Sequence, residues 1–424
     1  MRIKITPKGL IYFQIAFSLL YKTIEIIGVN AEKLNYVLHL VAICLLFFII
    51  RDKDKKIGKY VKFESAIIWI LLSVTFVGIF IMPLCYSDLL SNVALGVYVK
   101  GLLNFYRFFI FFFAVIKYLT YDDVEKIFNL LEKLFWLNMI LCFFEYFVLG
   151  CKQDFLGGIF GISYGGNVGL NILLCFFSAL YALRYLNKKV SLVQFMTIEV
   201  ICILLATMAE LKIYYIELVV IMLLAVVLVK PNRNTIKIIL ASVLILGVGL
   251  YALSIIFPRQ LAILTNSDKL SKYAGGSYVT GSLGRMTMFQ ELEGIFFQDY
   301  PLVRFFGFGI GTFDPTSSSY WAVKYNYLRA GWFGNSYVLL NLGYVGLIAM
   351  YVFYINLAKK AFVGRKKYRE DKLYMDFVII MIVIIVVSMW YNSTIISANV
   401  AYLLNLVIAI PIIVKKERSN IRLK

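Results

Sequence analysis

Histidine is nearly absent from this chain. His39 is the only one in 424 residues, and it falls near the middle of an early apolar run. A lone histidine there is more often a packed residue than a catalyst. No histidine falls within 258–332, so that stretch holds no histidine base, and neither a serine-hydrolase triad nor a histidine-rich metal site is expected. Cysteine is sparse as well. Cys44, Cys85, Cys142, Cys151, Cys175 and Cys202 are scattered and show no metal-ligand spacing. Most of them fall inside apolar runs, where a thiol behaves as a small hydrophobe. Cys85 and Cys151 fall in connectors on one face, which leaves a disulfide between them open. Charge is also scarce, at 16% of residues. No internal repeat is visible, which weighs against a transporter built from symmetric halves.

Apolar residues are abundant: 61% of the chain is hydrophobic and 17% aromatic. A soluble chain of this length would divide into several cores with polar exteriors. Here apolar runs of about 20 residues recur along the whole length, each long enough to cross a hydrocarbon core. The fold class is an all-α polytopic integral membrane protein. A β-barrel is excluded, because its strands would alternate over short segments. The basic start "MRIKITPKG" resembles a signal peptide but lacks a small-residue cleavage site, so it reads as a retained first helix.

The formal net charge is +19. The basic residues cluster in short connectors between apolar runs, the pattern that orients membrane proteins, and not in a separate nucleic-acid-binding domain. About twelve transmembrane helices are predicted, near 10–29, 33–50, 64–84, 97–119, 127–149, 167–186, 191–209, 213–229, 237–257, 333–357, 374–391 and 398–414. Lys22 and Glu25 interrupt the first, where they pair one turn apart or sit at the interface.

With twelve spans, the basic connectors "RDKDKKIGKYVK", "NKK", "KPNRNTIK" and "AKKAFVGRKKYREDK" and the tail "KKERSNIRLK" all fall on the side of the N-terminus. Opposite connectors such as "CKQDFLGGIFGISYGGN" are nearly free of Lys and Arg. Both termini are therefore expected in the cytoplasm. Three regions follow: 1–257 with helices 1 to 9, a large extracytoplasmic loop over 258–332, and 333–424 with helices 10 to 12 and a basic cytoplasmic tail. The loop carries aromatics and turn signals, so it is expected to fold.

Within the loop, Ser282 is a candidate N-cap for a helix whose apolar stripe is Leu283, Met286, Phe289, Leu292 and Phe296. That places Arg285 in a first helical turn, where the helix dipole disfavours a cation unless an anion such as phosphate sits there too. The plainer alternative is that Arg285 pairs with Glu291 or Asp299, or faces water. Pro301 should end the helix, and Gly307, Gly309 and Gly311 mark a turn for close backbone approach. The stretch from Asp314 to Tyr337 mixes Tyr, Trp, Ser and Asn, which suits sugars or an interfacial aromatic belt equally well.

Charges also fall within spans. Lys100 and Arg107 share a helix face; Glu145 and Glu199 are buried acids; Glu210, Lys212 and Glu217 surround a tight hairpin whose Glu210–Lys212 end faces the long loop. Such groups are functional candidates by default, with structural pairing, for example Arg107 with Glu145, as the alternative.

The layout resembles the O-antigen polymerase and O-antigen ligase superfamily of bacterial membrane glycosyltransferases. "GRMTMFQE" resembles that family's Gly-Arg helix start, "YPLVRFFGFGIGTF" its Pro-then-glycine turn, and "GNSYVLLNLGYVGLIAMYVF" its closing helix. "ATMAELK" resembles the hairpin where the family carries a basic residue, here Lys212. Ligase members have His-Asn at the closing helix, whereas this chain has Gly334-Asn335. The departure points to the polymerase branch.

The resemblance implies a GT-C-like topology in the bacterial cytoplasmic membrane, an active site on the extracytoplasmic side, and no metal or other cofactor. It implies a donor and an acceptor glycan linked to polyprenyl pyrophosphate, and leaves room for a chain-length regulator and a flippase as partners. On it, Arg285 and Lys212 stabilise the departing pyrophosphate, Glu210 and Glu291 (with Glu293) are candidate bases, and Arg107, Arg304, Arg329, Trp332 and Asn335 are candidate substrate contacts. A polysaccharide flippase or other transporter and a ligase are the alternatives. The intramembrane charges weigh against a purely structural role.

Overall fold

A computed structural model describes residues 6–52, 58–92, 94–258, 261, 265–275, 281–315 and 318–421. Lys53, Lys55 and Lys56 of the first basic connector, parts of the 258–332 segment and the end of the tail lie outside these. The fold is all-α, with no strand among the described residues.

Twelve long helices carry the chain. They are α1 (Pro7–Leu20), α2 (Asn35–Arg51), α3 (Lys62–Phe76), α4 (Leu95–Tyr118), α5 (Tyr121–Phe147), α6 (Gly166–Leu186), α7 (Leu192–Met208), α8 (Lys212–Leu228), α9 (Arg233–Ile256), α10 (Gly334–Lys367), α11 (Lys372–Tyr391) and α12 (Ala398–Ile421). Ten of the predicted spans are long and apolar enough to cross a membrane. The other two, α7 and α8, have 17 residues each, or about 26 Å of helix, just under a hydrocarbon core. About twelve spanning helices are expected from the sequence, and ten meet the requirement by length and composition. The reason is the turn at Ala209–Leu211, where Glu210 takes a left-handed φ of 56° and ends both helices early. The two form one hairpin, and the chain returns to where it left: Asn232 Nδ2 donates to Leu186 O at 3.0 Å.

The first span is α-helical only to Leu20 and continues as a 3-10 helix over Tyr21–Ile27. Its two charges meet the same serine: Lys22 Nζ donates to Ser163 Oγ at 3.2 Å, and Ser163 N donates to Glu25 Oε2 at 3.1 Å. All six cysteines are free thiols, so Cys85 and Cys151 form no disulfide.

The basic connectors gather at one end of the bundle. Lys117 Nζ reaches Ile49 O and Lys416 Nζ reaches Leu119 O. Arg418 forks onto Asp371, Lys360 pairs with Glu64, and Lys372 reaches both Leu228 O and Asp376. Helix C-termini leave carbonyls without partners, and lysines there satisfy them.

At the other end, residues 281–333 build a core of their own. Leu283, Met288, Leu292, Phe296, Val303, Phe308, Phe313, Trp321 and Leu328 are buried together with Met82 and Leu89. The segment is seated on the bundle through its glycine turn. Gly311 has a φ of 88°, and its backbone lies against Gly101 of α4, where a Cβ on Gly101 would be 2.5 Å from Gly311 Cα. The predicted close approach is thus backbone against backbone.

Candidate functional site: a mixed-charge cavity

Five separate stretches meet around a cavity of about 540 Å³. The 3-10 extension of α1 gives Lys22. The connector into α6 gives Asp154 and Tyr164, and the first turns of α6 give Asn167 and Asn171. The α7–α8 hairpin gives Glu210 and Lys212, the 281–333 segment gives Arg285, Trp332 and Phe333, and the α11–α12 connector gives Tyr391, Asn392 and Ser393. Three cations and two carboxylates therefore share one wall system with four aromatic rings, those of Tyr164, Trp332, Phe333 and Tyr391.

Local hydrogen bonds explain the convergence. Leu283 N donates to Leu328 O at 3.1 Å, which brings the turn bearing Arg285 beside 329–333. Gly334 N donates to Asn392 O at 2.9 Å, which docks the 391–393 connector on the same side. Arg285 then lies over two rings, 4.3 Å from the centroid of Tyr391 and 5.6 Å from that of Phe333. Aromatic faces attract a guanidinium and fix its plane.

The predicted helix around Arg285 is corrected. The helix begins at Met288, not after Ser282, and Arg285 sits in the turn before it. Met286 is 76% exposed and leaves the predicted apolar stripe. Glu291 explains the shape of the turn: it accepts from Gly284 N at 3.2 Å and from Thr287 Oγ1. It braces the turn of Arg285 as a capping carboxylate does and does not line the cavity. Asp299 is exposed.

The cation at a helix start is Lys212. It is the first residue of α8, held by a turn in which Leu211 N donates to Ala206 O at 2.9 Å. A cation there opposes the helix dipole by about 0.3–1 kcal/mol, a cost that an anion in the cavity would remove.

The remaining sequence candidates divide. Trp332 lines the cavity, its ring 5.5 Å from that of Tyr164, and the Arg329 guanidinium lies over the Trp332 ring at 4.2 Å. Arg329 takes a left-handed φ of 53°. Trp321, from the same aromatic stretch, is instead buried among Tyr300, Phe308 and Tyr325.

Arg304 is not at the cavity: it pairs with Glu293 at 3.0 Å and lies over Tyr344. Asn335 is fully buried and accepts from Tyr351 OH at 2.8 Å. Arg107 does not meet Glu145. Its Nη1 donates to Asn35 Oδ1 at 2.8 Å beside His39, in a separate pocket of about 220 Å³. Glu145 accepts from Gly157 N and Gly158 N and shapes the connector into α6.

Beneath the cavity, Asn171 Nδ2 donates to Glu217 Oε2 at 2.7 Å, while Asn171 Oδ1 is buried with no hydrogen-bond partner. Asn171, Asp154 and Lys22 were not singled out from the sequence as site residues. The signal available was the glycine-rich connector with Asp154, Tyr164 and Asn167, and the polar run "YNSTIIS" set between two apolar runs. Among the described residues no three His, Cys, Asp or Glu side chains cluster as metal ligands. Neither the known family models nor the curated proteins match this chain.

Proposed function

We propose that the protein is a polysaccharide polymerase of the bacterial cytoplasmic membrane, with the cavity opening on the extracytoplasmic face. It joins oligosaccharide units carried on polyprenyl pyrophosphate. One observation carries the reading: Lys22, Lys212 and Arg285 converge with Glu210, Asp154 and Trp332 on one cavity, at the end of the bundle away from the basic connectors. Lys and Arg accumulate on the cytoplasmic side of membrane proteins, so the cavity end is the outer one. The resemblance of the Arg285 turn, the glycine turn and the closing helix to the O-antigen polymerase superfamily supports the same reading, and the ten helices long and apolar enough to cross a membrane are consistent with it.

The chemistry follows from the residues. An acceptor sugar hydroxyl attacks the anomeric carbon of the donor. A new C–O bond forms as the bond from that carbon to the phosphate oxygen breaks. The electron pair leaves on the lipid pyrophosphate, where Arg285 and Lys212 meet the growing negative charge. The hydroxyl proton passes to a cavity carboxylate, Glu210 or Asp154. Trp332 and Tyr164 offer flat apolar faces to sugar rings. A cavity of this volume suits a pyrophosphate and the sugars next to it.

The test is a polymerisation assay with purified protein and lipid-pyrophosphate oligosaccharide, wild type beside Arg285→Ala. A ladder from wild type that falls about 100- to 1,000-fold in a folded variant supports the reading. Transfer to a different lipid acceptor without a ladder would make it a ligase. Movement of the lipid-linked unit across vesicles without bond formation would make it a flippase.

A further inference from the structure

A second pocket lies at the opposite, basic end, and the proposed polymerase activity has no use for it. It measures about 250 Å³ and is lined by Asn356, Lys359, Lys360, Val363, Gly364 and Lys367 of α10 with Pro411 and Lys415 of α12. On α10 these residues fall at three- and four-residue steps, so they form one face of its last turns. Four lysines thus border one small concavity. One of them is committed to the fold: Lys360 Nζ lies 2.7 Å from Glu64 Oε2, a fully buried carboxylate that Asn356 also holds at 2.6 Å. The other three, Lys359, Lys367 and Lys415, are exposed. Tyr60 and Tyr368 stand beside them, with Lys415 Nζ 5.9 Å and Lys367 Nζ 5.6 Å from their ring centroids.

Like charges gathered around a concavity repel one another unless an anion joins them. The apolar surroundings say which kind of anion. Val363 lines the pocket and is 55% exposed, and Ile355, Phe362 and Phe63 are 64%, 46% and 46% exposed at the same end. Such residues on a membrane bundle face acyl chains. The pocket therefore combines a cationic rim with an apolar outer wall at the level where a span ends. We propose that it holds the phosphate headgroup of an anionic phospholipid, with the acyl chains running along the outer face of α10. Basic pockets between helix ends recognise anionic headgroups by this combination.

The test is native mass spectrometry of the full chain, released from detergent after exposure to phosphatidylglycerol, cardiolipin or phosphatidylethanolamine. The variant is K359Q/K367Q/K415Q, which spares Lys360 and its buried partner. Wild type should retain the anionic lipids in preference to phosphatidylethanolamine, and the triple variant should lose about tenfold of that retention. Arg285→Ala, at the other end, should retain lipid like wild type. Equal retention by the triple variant, or equal retention of phosphatidylethanolamine, would overturn the proposal. So would a thermal stabilisation of wild type by inorganic phosphate alone that matches that by phosphatidylglycerol, since the ligand would then be a soluble anion. The variant's melting temperature without lipid, expected to match wild type without lipid, shows that a loss of retention is not a loss of fold.

Discussion

The two ends of the bundle differ in what their cations border. At the basic end several of them close structure. Lys117 and Lys416 satisfy helix carbonyls, Arg418 forks onto Asp371, and Arg365 and Lys372 hold the buried carboxylate of Asp376. At the cavity end Arg285 and Arg329 lie over aromatic rings, and Lys212 stands at a helix start. A cation bonded to a carbonyl or carboxylate closes a helix end or a buried acid. The cations of the other end line a cavity of about 540 Å³ that a ligand could fill. The same residue types therefore stabilise one end and equip the other.

The strongest way to break this contrast is at Asp376. It is fully buried between Arg365 and Lys372, at 2.7 Å from each. Asp376→Ala removes the carboxylate between two partly buried cations that keep Leu228 O as a hydrogen-bond partner, and the loss of such a carboxylate costs up to about 3–5 kcal/mol in buried pairs. Chemical denaturation in detergent should show a loss of this size, with polymer yield per folded molecule unchanged. Arg285→Ala should do the reverse, sparing stability and removing activity. A stable but inactive Asp376→Ala protein would erase the distinction between the ends.

A smaller effect is expected where the two regions join. Gly311 has a φ of 88°, and its backbone rests on Gly101. Gly101→Val pushes a side chain into that contact and should cost about 1–3 kcal/mol by overpacking. Because the 281–333 segment is seated through this contact, activity should fall along with stability. Limited proteolysis of that segment, faster in the variant, would locate the damage. Unchanged proteolysis and activity would mean that the cavity does not depend on this seat.

Much of this division was legible in the chain itself, and most of what was not has an identifiable physical cause. Apolar runs mark helices because lipid-facing surface must be apolar at every turn, so ten spans and the hairpin of Glu210 and Lys212 followed from local pattern. The basic connectors marked one end for a similar reason. Arg285, Lys212, Glu210 and Trp332 were singled out from sequence and do line one cavity. Some residues have partners that lie far along the chain. Arg107 is held by Asn35 and His39 on another helix, and Lys22 by Ser163, 141 positions away. Nothing in a local window reports such partners. Glu291 was misread at short range, because a carboxylate that braces a turn and one that faces a substrate look alike in sequence.

The finest cut in the comparison runs between two tryptophans of one aromatic stretch. Trp321 is 3% exposed and packs inside the 281–333 core, whereas Trp332 is 38% exposed at the cavity beside Tyr164. An interfacial belt residue would anchor the protein to lipid, while a sugar platform would act only on substrate. Aromatic contacts of this kind contribute about 0.5–1.5 kcal/mol, so Trp332→Ala should raise KM for the lipid-linked glycan a few- to tenfold. The value of kcat and the melting temperature should stay near wild type, and Trp332→Phe should restore most of the affinity. Steady-state kinetics with donors of increasing glycan length sharpen the point. The penalty should grow once the donor is long enough to reach the ring. A penalty independent of glycan length, or one that appears in stability alone, would place Trp332 with the lipid-facing aromatics and leave Arg285 and Lys212 to hold the pyrophosphate without a sugar platform beside them.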